Sequence, residues 1–283
     1  YDFQNAIMDG HLGITHRLRS IEFEMRSELH SYIRKLCNLP DTVTYEFGRF
    51  NMVGVESSGR IIREKIENGE LLGWDDPSLT TLVALQRRGF QPEAIKEFVL
   101  KTGITKNTAT VTWDDLYRIN TRIMDNKAPR YFFVRDPVLI THGGEKRTIA
   151  LRKHPKENMG DRTLIDSGSV YITQQDLENV AVDEPVRLLG NCTVAQVEGT
   201  TFSFVGADIA TFKGKGKKII HFVPEGATVP VQVIMPDKNT VVGVGESTLK
   251  ELQVGDCVQF ERFGNVRFDQ IADDGTYVFW FTN

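Results

Sequence analysis

The stretch Gly73-Trp74-Asp75-Asp76-Pro77, followed eight residues later by Leu85-Gln86-Arg87-Arg88-Gly89, organises the reading of this 283-residue chain. A tight turn runs into two acids and a proline, then into a short helix with a basic end. The chemistry predicts a helix entrance. Asp75 and Asp76 can accept the unpaired N–H groups of a first helical turn, and Pro77 has no N–H to satisfy there.

Outward from this stretch the pattern is helical on both sides. Segments 60–67, 80–87, 92–101 and 112–124 carry helical spacing and are separated by Gly69, Gly73, Gly89 and Gly103. Thr112 followed by Asp115 resembles a capping box with a shortened acid. Further upstream, Phe23, Met25, Leu29, Ile33 and Leu36 alternate with charged residues over 22–36, which predicts an amphipathic helix. A strand is expected over 43–50. The period changes near Pro129. Short β-branched and aromatic runs follow at 131–134, 170–173, 186–189, 201–205, 218–223, 229–235, 257–262 and 276–281. Strands at this spacing suggest one or two antiparallel barrels or sandwiches.

Composition agrees with an ordinary globular protein: 40% hydrophobic, 25% charged, long enough for two or three cored domains. No apolar run is long enough to span a membrane, and no signal peptide is visible. Cys37, Cys192 and Cys257 lie far apart, which argues against a zinc site or disulfide framework and fits a reducing cytoplasm. A net charge of −4 argues against a generic polyanion binder, but local clusters outweigh the sum. One cluster holds Lys146, Arg147, Arg152, Lys153, Lys156 and Arg162. The other has four lysines within 213–218: Lys213, Lys215, Lys217 and Lys218. The opening on patterned sequence at Tyr1 suggests a fragment of a longer protein.

Read as a string, the 73–89 stretch resembles the glutamyl- and glutaminyl-tRNA synthetases of the archaeal and eukaryotic type, a class I family. Other segments carry the same resemblance. Tyr1, Asn5 and Arg19 stand at the spacings of the residues that line the amino-acid pocket of the glutamyl enzymes. Arginine there implies glutamate as substrate, because a side-chain carboxylate suits a planar two-pronged donor. Glutaminyl enzymes carry a small uncharged residue instead. Ser57, Ser58, Gly59 and Arg60 occupy the loop that holds the ATP phosphates, with glycine where the family places lysine. Ala128-Pro129-Arg130-Tyr131 marks the entry to the anticodon-binding barrels and places Arg130 near the anticodon. His154-Pro155-Lys156 and Gly160-Asp161-Arg162 also resemble family strings. The His-x-Gly-His signature of the family is not in this chain.

The resemblance implies an α+β multidomain fold. Residues 1–58 would be the C-terminal part of a Rossmann-type catalytic domain, 59–128 a helical stem-contacting domain, and 129–283 two antiparallel β-barrels. It implies an enzyme that activates glutamate with ATP and Mg2+ and transfers it to tRNA(Glu), with tRNA(Gln) a further acceptor in some members. This chain alone would be inactive. Lys153, Lys156, Arg162, Lys215, Lys217 and Lys218 become candidate phosphate contacts beside Arg130, while Phe132 and Phe133 are expected in the barrel core. No metal site is expected in the chain. A cytoplasmic monomer is the expected setting. The competing readings are a non-catalytic tRNA-binding module, which Gly59 favours, and a glutaminyl enzyme, which Arg19 opposes.

Overall fold

The computed structural model describes residues 1–283. They pack as two units, one of Tyr1–Ser57 with Pro92–Ile119, the other of Ser58–Gln91 with Asn120–Asn283. Seven α-helices are present: α1 (Asp2–His11), α2 (Ser27–Leu36), α3 (Gly59–Glu67), α4 (Leu82–Arg88), α5 (Pro92–Thr102), α6 (Trp113–Met124) and α7 (Gln174–Glu178). The N-terminus of α6 is closed by Asp115, which accepts from both the backbone N–H (3.0 Å) and the hydroxyl (2.9 Å) of Thr112.

In the first unit, strand His16–Ser20 pairs in parallel with Val43–Phe47, and Phe50–Met52 pairs in parallel with Ala109–Val111. A 3-10 turn, Ile21–Arg26, leads into α2, which packs on α1. The amphipathic expectation for 22–36 is corrected here. Met25 is 93% exposed and Leu36 65%, whereas His30 and Arg34 are fully buried. Positions 30 and 34 lie one turn apart on a single helix face. That face meets polar partners on α1 and the strand His16–Ser20, so the buried side of α2 is the polar one.

The second unit holds two seven-stranded sheets. The first runs in the order Lys218–Ile220, Pro185–Leu188, Thr193–Glu198, Thr201–Gly206, Pro137–Thr141, Ser169–Thr173, Val223–Pro224. The second runs Arg130–Tyr131, Cys257–Phe260, Gly264–Ile271, Tyr277–Phe281, Thr228–Ile234, Thr240–Glu246, Phe133–Arg135. Both are mixed rather than purely antiparallel. Val186–Leu188 lies parallel to Lys218–Ile220, and Val231–Ile234 parallel to Tyr277–Trp280. In each sheet the first and last strands belong to one short segment of chain. In the second sheet they are separated by Phe132 alone, and in the first by His221 and Phe222.

Strand alternation explains how one segment serves two cores. Successive side chains point to opposite faces. Phe132 packs with Ile140, Val170, Val186 and Phe222 in the core of the first sheet. Tyr131 and Phe133 pack with Val231, Phe260 and Phe279 in the core of the second. All three aromatics are buried, so the expectation of core phenylalanines holds, and alternation sends them to two interiors rather than to one interior and solvent.

The 73–89 stretch departs from the expected helix entrance. Helix α4 begins at Leu82 and is capped by Thr81, whose hydroxyl accepts from Ala84 N at 3.1 Å. Asp76 is fully buried in the preceding turn, where it accepts from Leu72 N (2.9 Å), Ser78 N (3.0 Å) and Ser78 Oγ (2.5 Å). Asp75 pairs with Arg87 at 2.7 Å, and Arg87 also forks onto Asp269 at 2.8 and 3.1 Å, with its guanidinium 4.1 Å from the Trp280 ring centre. Arg88 is fully buried and donates to Pro77 O (3.2 Å), Phe281 O (3.1 Å) and Thr282 O (2.9 Å). Gly89 is the left-handed cap at φ 91°, and a Cβ there would meet Arg267, Cys257 and Thr282 at 3.0 Å. The stretch thus clasps the C-terminal strand to the turn and α4.

Candidate functional site

Tyr1 stands at the head of α1, and Arg19 lies on the strand His16–Ser20. Arg19 Nη2 donates to Tyr1 Oη at 3.4 Å, and the guanidinium is 5.8 Å from the ring centre. Arg26 sits over the same ring, also at 5.8 Å. Asn5 is half-buried one helical turn on, its N–H donating to Tyr1 O at 3.0 Å. Arg19 Nη1 is buried with no hydrogen-bond partner. An unmade bond from a buried donor costs about 1–3 kcal/mol, so this geometry suits an incoming acceptor.

Residues not singled out in the sequence complete this region. Arg17 precedes Arg19 by two positions, on the same side of the strand. It donates to Thr44 Oγ1 (2.7 Å), Asp9 Oδ2 (3.2 Å) and His30 Nδ1 (3.1 Å). His30 Nε2 lies 2.9 Å from Asp2 Oδ1, whose other oxygen pairs with Arg26 at 2.6 Å. Burial holds Arg17 below its ordinary range, and the nearby Arg19 and Arg34 cations add to this. Arg17 Nη2 and both terminal nitrogens of Arg34 are likewise buried without hydrogen-bond partners. Arg17, Arg19 and Arg34 thus form a cluster of cations, of which Arg17 pairs with Asp9 at 3.2 Å and Arg34 lies 3.5 Å from Asp41. The only sequence signal was the Arg-x-Arg spacing. The partners lie on α1 and α2, and no local pattern links them to the strand.

Of the expected phosphate loop, Ser57 is exposed and Ser58 is the N-cap of α3, with Gly59 and Arg60 exposed in its first turn. The backbone at Gly59 is not left-handed, and an added Cβ would find its nearest neighbour, Trp74, 4.0 Å away. The first-turn N–H groups of a helix are the ones it leaves unpaired, and Arg60 and Arg63 are exposed beside them. That donor set, amides with two guanidiniums, fits phosphate oxygens.

The residues expected at RNA divide by exposure. Lys156, Lys215 and Lys217 are exposed, and Lys218 is half-buried, 3.9 Å from Glu184. His154 builds the turn that carries Lys156: its Nδ1 accepts from Lys156 N (3.1 Å) and Glu157 N (2.7 Å). Lys153 is tied to Glu251 at 2.8 Å, a bond that raises its pKa. Arg130 donates to Asp125 at 3.1 Å, lies 3.7 Å from Glu261 and keeps a buried, unpartnered Nε. Arg162 departs from the expectation. It is 4% exposed and held by Glu246 at 2.9 Å and by Arg152 O at 2.8 Å, so its charge is spent inside the protein.

His142, Asp166 and Cys192 form a buried cluster within 4.8 Å. Asp166 accepts from His142 Nε2 (3.2 Å), Asn191 Nδ2 (2.7 Å) and Gly168 N (2.9 Å), and His142 Nδ1 accepts from Gly144 N (3.3 Å). Both imidazole nitrogens are therefore committed. Burial pushes the Cys192 thiol up to about 11. Against its burial, the bonds from His142, Asn191 and Gly168 hold Asp166 below the usual carboxylate range, and the network pins the strands together.

Residues 1–126 match the family model for the catalytic domain of class I tRNA synthetases (E and Q). Residues 128–209 and 219–269 match two models for the anti-codon binding domain of the same family. Among curated relatives, a glutamate–tRNA ligase of Pyrococcus abyssi is 37% identical over 97% of this chain and 49% of its own length. That of Methanocaldococcus jannaschii is 36% identical over 97% and 50%. That of Methanopyrus kandleri is 32% identical over the same shares. The chain spans about half the length of the curated relatives it matches.

Proposed function

We propose, from the premise that this chain belongs to the class I tRNA synthetases (E and Q), that the protein it comes from is a glutamate–tRNA ligase. The relatives named as such ligases support this over both rivals. In the intact enzyme the glutamate α-carboxylate would attack the α-phosphorus of ATP, breaking its bond to the β-phosphate and releasing pyrophosphate. The glutamyl group would then pass to a ribose hydroxyl of the terminal adenosine of tRNA(Glu), with AMP as the leaving group. The observation that carries the substrate is the buried, unpartnered Nη1 of Arg19, beside Tyr1 and amid the further cations Arg17 and Arg34. Arg19 would pair with the glutamate side-chain carboxylate, while Tyr1 and Asn5 shape the pocket.

Ser57, Ser58, Gly59 and Arg60 would hold the phosphates of ATP. The nucleotide would supply the adenylyl group for activation, and Mg2+ would offset its phosphate charge. Residues 59–128 would support the inside of the tRNA. Residues 129–283 would read the anticodon as two barrels, and the support for closure is that each sheet begins and ends in one segment. Arg130, Lys153, Lys156, Lys215, Lys217 and Lys218 would meet the RNA, mostly through phosphates, which position rather than specify. Arg162 is withdrawn from that set.

The test is charging by the full-length enzyme with tRNA(Glu) and tRNA(Gln), and with glutamate and glutamine. Glutamate on tRNA(Glu) is the expected product. Truncating one member of a buried charge pair costs roughly 2–5 kcal/mol. Arg19→Ala should therefore lower kcat/KM for glutamate about thirty- to several-thousand-fold. Glutamate use within about twofold of wild type would refute the pocket assignment. No charging of any tRNA, with tight tRNA binding kept, would favour the non-catalytic module that Gly59 suggests.

A further inference from the structure

His30 is fully buried, and its ring is bonded at both nitrogens. A guanidinium has no acceptor, so the 3.1 Å contact with Arg17 Nη1 makes His30 Nδ1 the acceptor. The proton of the neutral ring then sits on Nε2 and is donated to Asp2 Oδ1 at 2.9 Å. The tautomer is thus set by the chemistry of its neighbours. Asp2 adjoins Tyr1 in the chain, and Arg17 lies two residues from Arg19 on one strand. The imidazole is a bridge between the head of α1 and the arginine-bearing strand. The Tyr1 ring lies 6.2 Å from the His30 ring, and the His30 carbonyl accepts from Arg34 Nε at 3.4 Å.

We propose that His30 is a positioning residue for glutamate, tying Tyr1 to Arg19 through Asp2 and Arg17, and that the pocket loosens when the ring takes up a proton. The proposal rests on reading Tyr1 and Arg19 as the glutamate pocket. A second ring proton would sit on Nδ1 and point at the Arg17 guanidinium, replacing a bond by a repulsion. The groups facing the ring are Asp2 on α1 and Arg17 and Arg19 on the strand. Arg34 on α2 reaches the His30 carbonyl and lies 3.5 Å from Asp41, and Arg26 and Asp9 are one bond further out through Asp2 and Arg17. Cations outnumber acids there. Burial, reinforced by Arg19 and Arg17, holds His30 below the ordinary histidine range against the pull of Asp2. The ring is therefore neutral at pH 7 and charges only as the solution turns acid.

The experiment is steady-state charging by the full-length enzyme from about pH 8 to about pH 5, with separate constants for glutamate and ATP. For the wild type, KM for glutamate should climb as pH falls below about 6.5, with KM for ATP level. Losing a hydrogen bond to a charged group is worth roughly a factor of ten, so His30→Ala should raise KM for glutamate about tenfold at pH 8 and leave kcat within about twofold. His30→Gln can donate to Asp2 and accept from Arg17 without titrating. It should hold KM for glutamate within about threefold of wild type at pH 8 and abolish the acid rise. The idea fails if His30→Gln keeps the wild-type acid rise, or if the wild type shows none. It fails equally if His30→Ala raises the constants for glutamate and ATP together, which marks a purely structural residue. If the alanine variant does not fold, the glutamine variant decides. Arg19→Ala serves as the control. If it spares glutamate use, the pocket reading itself falls, whereas an Arg19 effect without a His30 effect removes only the bridge.

Discussion

At the residue scale, Gly59 stands where the family resemblance places a lysine. A glycine kept for its backbone freedom would show a left-handed φ or a crowded Cβ. Gly59 shows neither, with Trp74 at 4.0 Å the nearest atom. Lysine should therefore be accepted. Replacing helical glycine gains up to about 1 kcal/mol, and a cation near a helix N-terminus gives back about 0.3–1 kcal/mol. Gly59→Lys is expected to leave the melting temperature within about 2 °C. If the loop holds ATP, the same change should raise kcat severalfold, since the lysine adds a charge where negative charge develops. A drop in melting temperature with no kinetic gain would remove the loop from the ATP site.

At the scale of an element, the last turn of α4 is held by Arg88. Its acceptors include Pro77 O, Phe281 O and Thr282 O, from the turn before the helix and from the C-terminal strand. Thr282 Oγ1 returns a bond to Arg88 O. Arg88→Met keeps much of the volume but orphans buried carbonyls, at a cost of about 3–5 kcal/mol. A lowered urea midpoint at unchanged slope is the expected result. A stability change under about 1 kcal/mol would mean that the clasp is not held by this side chain. The arginine pair was visible as a basic helix end. Its work as a bridge was not, because Phe281 lies far along the chain from Arg88 and no local pattern spans that distance.

At the scale of the whole molecule, the two sheets of the second unit meet at buried polar groups. His221 donates from Nε2 to Phe133 O at 2.7 Å, and its Nδ1 lies 3.4 Å from Arg262, which forks onto Asp176 at 2.7 and 2.8 Å. Glu246 accepts from Arg162 (2.9 Å) and Phe132 N (2.8 Å) at the same seam. Burial drives His221 down to about 4. The folded value lies below the unfolded one, near 6.5, so the unfolded chain takes up the proton first. The contribution of the neutral ring is complete above about pH 6.5 and is lost as pH falls toward 4, by about 3 kcal/mol in all. His221→Gln should flatten that part of the stability profile in denaturant melts. An unchanged acid slope would place the sensitivity elsewhere.

Much of the element order follows from the chain itself. Helical spacing over 60–124, short β runs after Pro129, and Thr112 with Asp115 as a cap are local properties, set by side chains a few residues apart. The family was legible for the same reason, since it is written in short strings such as the one at 73–77. Tertiary structure decided the rest. It moved the Asp76 bonds from a helix entrance into a turn, buried the polar rather than the apolar face of α2, and spent Arg162 on Glu246. It also brought His30 between Asp2 and Arg17. In each case the outcome depends on which distant group is available to satisfy a buried donor or charge, and that requirement is met only when the chain has closed on itself.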